Sequence, residues 1–218
     1  MNTMINETWL SNQLAWLLNP NGNHGLGGNF AKKFFEKAIK NELLKSNLNF
    51  DSFEVAREFY LQVEDLDKKK NSKSARWIDI VYMDLSQNTV FVIENKYEGN
   101  NSKNQLSEYM QIKKLFPFCN IYYIYLHFQG KNINLNNLNE QNKEEVLKFY
   151  NVVSWQEEIQ SILEEISLKS YEIFKLYKII KNETENFEED FTENELKLIW
   201  LHLFIQRIII NSLVKIQK

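Results

Sequence analysis

The sequence predicts an α/β fold: a helix, a three-stranded antiparallel meander, a helix and a parallel strand, with an added helical C-terminal region. Three observations lead to this prediction. Residues 7–18 carry apolar side chains at helical spacing, residues 53–63 alternate between apolar and polar side chains, and "CNIYYIYLHF", from Cys119, is unbroken and apolar. These patterns are typical of an amphipathic helix, a half-exposed strand and a strand covered on both faces.

Two helices open the predicted fold. Residues 7–18 stop at Pro20 and the glycine-rich stretch that follows it, because proline and glycine interrupt helical hydrogen bonding. A second helix begins near Asn29, a residue suited to the N-cap, and its inward face is aromatic. The aromatic face predicts that this helix packs on the sheet.

Strands and a third helix follow. Residues 76–84 and 89–97 are joined by the turn-rich "DLSQNT", which predicts an antiparallel hairpin. Helical spacing then runs from Ser102, whose distance from Gln105 fits a capping box, to Phe116 just before Pro117. The order strand, helix, strand predicts a crossover into a parallel pair.

The domain boundary is placed after residue 131. Residues 1–131 form the predicted core with its N-terminal helix, and residues 132–218 form a helical extension packed on that core. Residues 154–181 have helical spacing, and residues 196–214 are the most apolar stretch of the chain, although charged and polar side chains interrupt them. We therefore expect no membrane span, and we interpret residues 196–214 as a core helix or as the contact of a homo-oligomer.

Composition sets limits on the class of protein. The chain has 218 residues, of which 44% are hydrophobic, so it can bury a sizeable core. Its single cysteine, Cys119, excludes an intramolecular disulfide and fits a reducing compartment, and no secretion signal is recognisable, so we expect a cytoplasmic location. The net charge is -3, and residues 182–195 hold seven acidic residues and no basic one. The rest of the chain is therefore positive, which permits a nucleic-acid partner without predicting one.

The predicted hairpin strands carry Asp79, Glu94 and Lys96 among their apolar residues, where charges are costly to bury. Glu94 and Lys96 project to the same side of their strand, and closure of the hairpin around "SQNT" brings Asp79 near Glu94. Two neighbouring carboxylates repel unless a proton or a cation lies between them, and carboxylate oxygens suit Mg²⁺. A nearby lysine can hold a water molecule, so the three residues suit metal-assisted hydrolysis of a phosphodiester.

These residues also resemble a known family. Asp79 followed by Glu94-Asn95-Lys96 is similar to the D...(D/E)xK signature of the PD-(D/E)XK nuclease superfamily. Gln105-x-x-x-Tyr109 resembles the QxxxY motif of its RecB-like branch. The resemblance covers residues 24 to 128, although Ile78 stands where that family has the proline of its name. It implies a restriction-endonuclease-like core and a metal-dependent deoxyribonuclease.

The resemblance also implies roles for the residues. Asp79 and Glu94 would be ligands of Mg²⁺ or Mn²⁺, with the backbone carbonyl of Asn95 completing the set, and Lys96 would orient the attacking water. Families of this kind often add one more carboxylate ligand, for which we favour Glu58 over Glu36 and Glu42 because of its place on the first strand.

Two more residues receive roles in the same way. Gln105 and Tyr109 lie one turn apart on the predicted helix and would touch the DNA or support the metal ligands.

Simpler interpretations remain open from sequence alone. Glu94 and Lys96 are also compatible with a surface ion pair, Gln105 with a capping partner of Ser102, and Tyr109 with an ordinary core residue. The alternative function is a nuclease-like fold that binds DNA or regulates without catalysis, and a third is an interaction protein with no nucleic-acid role. The sequence does not distinguish DNA from RNA, or exonuclease from endonuclease.

Overall fold

The computed structural model describes residues 5–39, 48–64, 73–98, 104–138 and 140–185. Helices and strands follow one another in nearly the predicted order. The helices are α1 (Glu7–Leu18), α2 (Asn29–Ala38), α3 (Gln105–Tyr109), α4 (Glu140–Phe149), α5 (Gln160–Ile166) and α6 (Tyr171–Glu185). The strands are β1 (Glu54–Glu64), β2 (Lys73–Asp84), β3 (Thr89–Lys96), β4 (Asn120–His127) and β5 (Tyr150–Ser154).

The strands of the described residues form one sheet in the order β1-β2-β3-β4-β5. β1, β2 and β3 are antiparallel neighbours, whereas β4 lies parallel to β3 and β5 parallel to β4. The predicted meander and the parallel strand after α3 are therefore confirmed. The sheet is larger than expected, because β5 follows α4 within residues 132–218, for which the sequence predicted a helical extension.

The β1–β2 ladder is distorted at one point. Pairing keeps one register from Glu54 opposite Met83 to Glu64 opposite Lys73, but it skips Glu58 and Asp79. Glu58 has a φ of 48°, which is uncommon for a residue other than glycine. The alternation of inward- and outward-facing side chains is also broken there. Ala56 and Phe59, on either side of Glu58, contact the same apolar cluster, and so do Ile78 and Val81, on either side of Asp79. The distortion thus interrupts the regular pairing of the two strands at Glu58 and Asp79.

One face of the sheet packs against aromatic side chains from α2. The ring of Phe35 stacks on Phe91 of β3, with 3.9 Å between centroids, and on Tyr82 of β2 at 5.3 Å. Leu10 and Leu14 of α1 are also fully buried. Aromatic rings bury a large apolar area each, so this layer fixes α2 on the hairpin that carries the charged residues.

The opposite face packs against α3 and α4. Its buried cluster contains Val92 of β3, Leu106 and Tyr109 of α3, and Tyr150 of β5. The Tyr150 hydroxyl donates to the Leu106 carbonyl oxygen over 2.9 Å. α3 has only five residues, so packing and side-chain hydrogen bonds rather than helix propensity hold it in place.

The chain divides into two compact units, and the second begins at Gln160. The predicted helical stretch 154–181 is interrupted in the structure. A 3-10 turn covers Ser167–Lys169, and Ser170 is extended, with its Oγ accepting the Ile173 amide over 3.2 Å. Ser170 thus caps a new helix, since a serine oxygen can satisfy a free amide at a helix start. The predicted boundary after residue 131 stays a prediction.

Two predictions on the C-terminal part are not described. The apolar segment 196–214 lies outside the described residues, and so does most of the acidic stretch 182–195. Among the helices that are described, none is long and apolar enough to cross a membrane.

Candidate active site

The hairpin opens at Asp79. Pairing between β2 and β3 ends where Ile80 lies opposite Ile93. At the next position the two strands no longer pair through their backbones. Instead, Asp79 Oδ2 accepts a hydrogen bond from the Asn95 amide over 2.8 Å. The carboxylate therefore lies between the two strands, at the position where the β1–β2 ladder is also interrupted.

Glu94 lies on the sheet face that packs against α3. It follows Val92 by two residues and shares its side of the strand. Its side chain is fully buried, and its Oε1 accepts from Gln105 Nε2 over 2.7 Å and from Lys96 Nζ over 2.6 Å. Glu94 Oε2 is buried too, and no described residue donates a hydrogen bond to it. The carboxylate thus has one buried oxygen without a hydrogen-bond donor in the described chain.

The surroundings shift the pKa of both carboxyl groups upward. Burial and then the neighbouring charge of Asp79 raise the pKa of Glu94 to about 8. Burial also raises the pKa of Asp79, although the Asn95 amide and Lys96 oppose the shift. A buried carboxylate is costly without compensation, so this pair favours a proton or a cation between its members near neutral pH.

Lys96 lies between two carboxylates. Its Nζ is 2.6 Å from Glu94 Oε1 and 2.8 Å from Oε1 of Glu7, in the first turn of α1. Burial alone lowers the pKa of Lys96, but the two carboxylates outweigh it and raise the pKa overall. Lys96 therefore stays charged. Sequence reasoning missed Glu7, because an acidic residue in a first helical turn is ordinary helix design.

Gln105 and Tyr109 connect α3 to both strands of the open hairpin. Gln105 Nε2 donates to Glu94 Oε1 and lies 2.8 Å from the Tyr109 hydroxyl oxygen. The Tyr109 hydroxyl donates to the Trp77 carbonyl oxygen of β2 over 2.7 Å. The structure thus brings both predicted residues to Glu94, while Ser102, the alternative capping partner of Gln105, lies outside the described residues.

The Asn95 side chain anchors the strand from the opposite face. Its Nδ2 donates to Ser11 Oγ over 2.8 Å and to the Glu7 carbonyl oxygen over 3.3 Å. Its Oδ1 accepts from Trp155 Nε1 over 2.9 Å. Asn95 is fully buried, so α1 and the residue after β5 fix the backbone between Glu94 and Lys96. Local sequence gave no signal for Ser11 or Trp155.

Glu58 lies apart from this network. Its side chain is 70% exposed, and its carboxylate is 3.8 Å from the Arg57 guanidinium. The structure places Glu7, not Glu58, against Lys96. Glu58 as a metal ligand stays a prediction.

The glycine-rich turn after α1 is closed by its own hydrogen bonds. The buried His24 ring bonds through Nε2 to the carbonyl oxygens of Trp16 and Asn19, and its Nδ1 accepts the Leu26 amide. Because Nδ1 accepts, Nε2 carries the proton and the ring is neutral. This turn is structural.

The donor set fits a hard divalent cation. Asp79 and Glu94 offer carboxylate oxygens, which Mg²⁺ and Mn²⁺ prefer, and Glu94 Oε2 is an acceptor without a donor in the described chain. Within the described residues no group of three or more histidine, cysteine, aspartate or glutamate side chains forms a metal site. The side chains would therefore supply two ligands, and the Asn95 carbonyl would be the third from the chain.

Comparison with known proteins decides the family. The model of the PD-(D/E)XK nuclease superfamily matches residues 2–192. The chain belongs to the PD-(D/E)XK nuclease superfamily. Its sheet and helices are consistent with the restriction-endonuclease-like core that the sequence predicted.

Other comparisons add little. No curated protein matches the chain. A solved structure described as "Crystal Structure of Protein of Unknown Function AF1548" is similar at 13% identity with a TM-score of 0.34. That match covers 61% of this chain and 66% of the other, slightly under two thirds.

Proposed function

We propose that the chain is a metal-dependent deoxyribonuclease of the RecB-like branch that hydrolyses phosphodiester bonds by attack of water. One observation carries the proposal: Glu94 is fully buried beside Asp79 and Lys96, with an oxygen that no described donor satisfies. In a member of a nuclease superfamily, this arrangement is most simply a cation site. A cytoplasmic location and a homo-oligomer through residues 196–214 stay predictions.

A bound Mg²⁺ or Mn²⁺ ion would supply positive charge against the phosphate and make water a stronger nucleophile. Asp79 and Glu94 would hold it, with the Asn95 carbonyl. Their own geometry is fixed beforehand, because the Asn95 amide orients Asp79 and Gln105 orients Glu94. Such preorganisation lowers the reorganisation needed during the reaction.

Lys96 has a donor left for the reaction. An ammonium group has three N–H donors, and two of those on Lys96 are directed at Glu94 and Glu7. The third can hold the attacking water or a phosphate oxygen. Because Glu94 and Glu7 fix the ammonium from two sides, this donor has a defined position.

The test is cleavage of linear and circular DNA, single- and double-stranded, and of RNA, with Mg²⁺, Mn²⁺ or EDTA. We expect wild type to cut only with metal, and Asp79→Ala and Lys96→Ala each to lower the rate by about 10²- to 10⁴-fold. Lys148→Ala, which removes an exposed lysine on α4, is the matched control and should cut normally. Circular against linear substrate separates endonuclease from exonuclease.

DNA binding without cleavage by wild type would contradict the proposal and favour the non-catalytic alternative. Cleavage that persists in both site variants would show that the assigned residues are not the catalytic ones.

Glu7 and Glu58 are the two candidates for a further metal ligand, and Mn²⁺ titration of Glu7→Gln and Glu58→Gln separates them. We expect the larger loss of affinity from Glu7→Gln, because Glu7 contacts Lys96 at the site. A larger loss from Glu58→Gln would instead support the prediction from sequence.

A further inference from the structure

Two large aromatic side chains are exposed as a pair on the sheet. Tyr60 of β1 lies directly opposite Trp77 of β2, and their rings meet edge to face with 5.2 Å between centroids. Tyr60 is 51% exposed and Trp77 58% exposed. Aromatic side chains contribute most to stability and binding when they are buried. An exposed cross-strand pair is therefore suited to a partner that covers it.

The pair flanks the candidate active site. Trp77 is two residues from Asp79, in the half of β2 that extends beyond the last β2–β3 pair. Its carbonyl oxygen accepts the Tyr109 hydroxyl, which belongs to the network around Glu94. Phe59 and Ile78 pack into the core, so Tyr60 and Trp77 point to the opposite side of the two strands. The rings therefore lie on the sheet face opposite to Glu94, and Trp77 is two residues along β2 from Asp79, at the open end of the hairpin.

The chemistry of this surface suits bases better than phosphates. Arg57, which precedes the pair on β1, is already engaged, because it donates to Asn12 Oδ1 over 2.8 Å and pairs with Glu58. The exposed neighbours Gln62 and Ala75 are uncharged. Because the adjacent arginine is already bonded, this surface offers a ligand two aromatic rings rather than free positive charge.

We propose that Tyr60 and Trp77 form a stacking platform for unpaired bases next to the phosphodiester that the site would cleave. The inference rests on the proposed function and specifies its substrate: a single strand, or a frayed or overhanging end. Aromatic side chains stack on any base, since every base has a π face, but only on bases whose faces are free. Bases within an intact duplex are already stacked on each other.

The experiment measures binding in EDTA, so that it does not depend on cleavage. The probes are a fluorescent single-stranded oligonucleotide, a duplex of the same length, and a single strand of that length with abasic residues, which keeps the phosphates. Proteins are wild type, Tyr60→Thr, Trp77→Thr and the double variant. Threonine keeps the strand propensity, and the Trp77 backbone bond to Tyr109 is unchanged. Trp77→Phe retains a stacking ring.

Phe118→Thr is the matched control. Phe118 is 89% exposed and precedes β4, at the end of that strand opposite to His127, which pairs with Lys96. We expect wild type to bind the normal single strand more tightly than the duplex or the abasic strand. Each ring removed should weaken single-strand binding by about ten-fold, a loss typical of one base–aromatic stack. The double variant should no longer distinguish normal from abasic strands, whereas Trp77→Phe and Phe118→Thr should resemble wild type.

Equal binding of normal and abasic strands by wild type would overturn the platform, whether or not the protein cuts DNA. Unchanged single-strand affinity in the double variant would overturn it too. A double variant that changes only the oligomeric state, measured by sedimentation, would also overturn it, because the rings would then contact another copy of the chain. If wild type shows the predicted preference in EDTA but never cleaves with metal, the platform stands and the proposed catalytic function fails.

Discussion

Two buried carboxylates at opposite ends of the β2–β3 hairpin have opposite surroundings. Asp84, at the turn, accepts four short hydrogen bonds: from Ser52 Oγ at 2.5 Å, the Ser86 amide at 2.8 Å, Ser86 Oγ at 2.6 Å and Gln87 Nε2 at 2.6 Å. Glu94, at the open end, has one oxygen bonded to Gln105 and Lys96 and another without a described donor. Both oxygens of Asp84 therefore have hydrogen-bond donors within the protein, whereas Glu94 Oε2 has none in the described chain.

The pKa values follow this difference. Burial raises the pKa of Asp84, but the bonds from Ser52, Ser86 and Gln87 outweigh it and hold the pKa well below its ordinary range. Burial and Asp79 raise the pKa of Glu94 to about 8. Burial of a carboxylate is therefore not by itself a sign of function. The sign is burial without enough donors, beside a second carboxylate and a lysine.

Replacing each carboxylate by its amide should have the largest effect, and it tests the difference between Glu94 and Asp84 directly. Glu94→Gln removes a proposed metal ligand, so we expect metal-dependent cleavage to fall by about 10²- to 10⁴-fold while the metal-free protein keeps its stability or gains some. Asp84→Asn replaces an oxygen acceptor by an amide donor that faces other donors. It should lose about 1–3 kcal/mol of unfolding free energy and keep its cleavage activity at temperatures where it is folded.

Cleavage rates and denaturant unfolding, measured on both variants, check this pair. An inactive but stable Asp84→Asn, or an active Glu94→Gln, would show that the two carboxylates have been assigned in reverse.

The pH dependence of stability sharpens the same comparison, with a smaller effect. Glu94 has a pKa of about 8 in the folded protein against an ordinary value of 4.5, so between these values the folded state holds more protons than the unfolded state. Its contribution to the unfolding free energy of the metal-free protein must then fall as pH rises through this window. Added Mg²⁺ or Mn²⁺ should stabilise more at high pH, because binding displaces the proton.

Thermal unfolding in EDTA and in excess metal, between about pH 5 and pH 8, measures this dependence. Glu94→Gln should flatten the metal-free profile in that window, while Asp84→Asn should leave its slope unchanged. A Glu94→Gln profile with the same slope as the wild-type profile in EDTA would contradict the raised pKa of Glu94.

Local sequence was sufficient for the hairpin and its charges. Strand alternation and the turn "DLSQNT" defined β2 and β3, and the spacing of Asp79, Glu94 and Lys96 indicated their common end. Helical periodicity placed Gln105 and Tyr109 on one face. These features depend on residues within about one supersecondary unit, and the structure brings all five residues together.

Contacts between distant parts of the chain were not predictable in this way. Glu7 meets Lys96 across 89 positions, and Trp155 meets Asn95 across 60. A glutamate in a first turn and a tryptophan after a short strand have ordinary local explanations, so neither attracts notice. β5 was missed for a related reason: it has five residues and follows a polar helix, and its pairing with β4 rather than its composition makes it a strand.

The smallest expected effect concerns those distant contacts. Trp155→Phe keeps an aromatic ring but removes the N–H that donates to Asn95 Oδ1, leaving a buried acceptor unpaired between Glu94 and Lys96. Because partners of metal-binding residues commonly change metal affinity by about ten-fold or more, we expect the Mn²⁺ concentration for half-maximal cleavage to rise by about ten-fold. Trp16→Phe is the matched control, since Trp16 Nε1 donates over 2.6 Å to Asn23 Oδ1 in the turn after α1. It should lower the melting temperature without changing the Mn²⁺ requirement. If both variants lose only stability, then Trp155 supports the fold alone, and the Asn95 backbone is held well enough by Ser11 and its neighbouring strands.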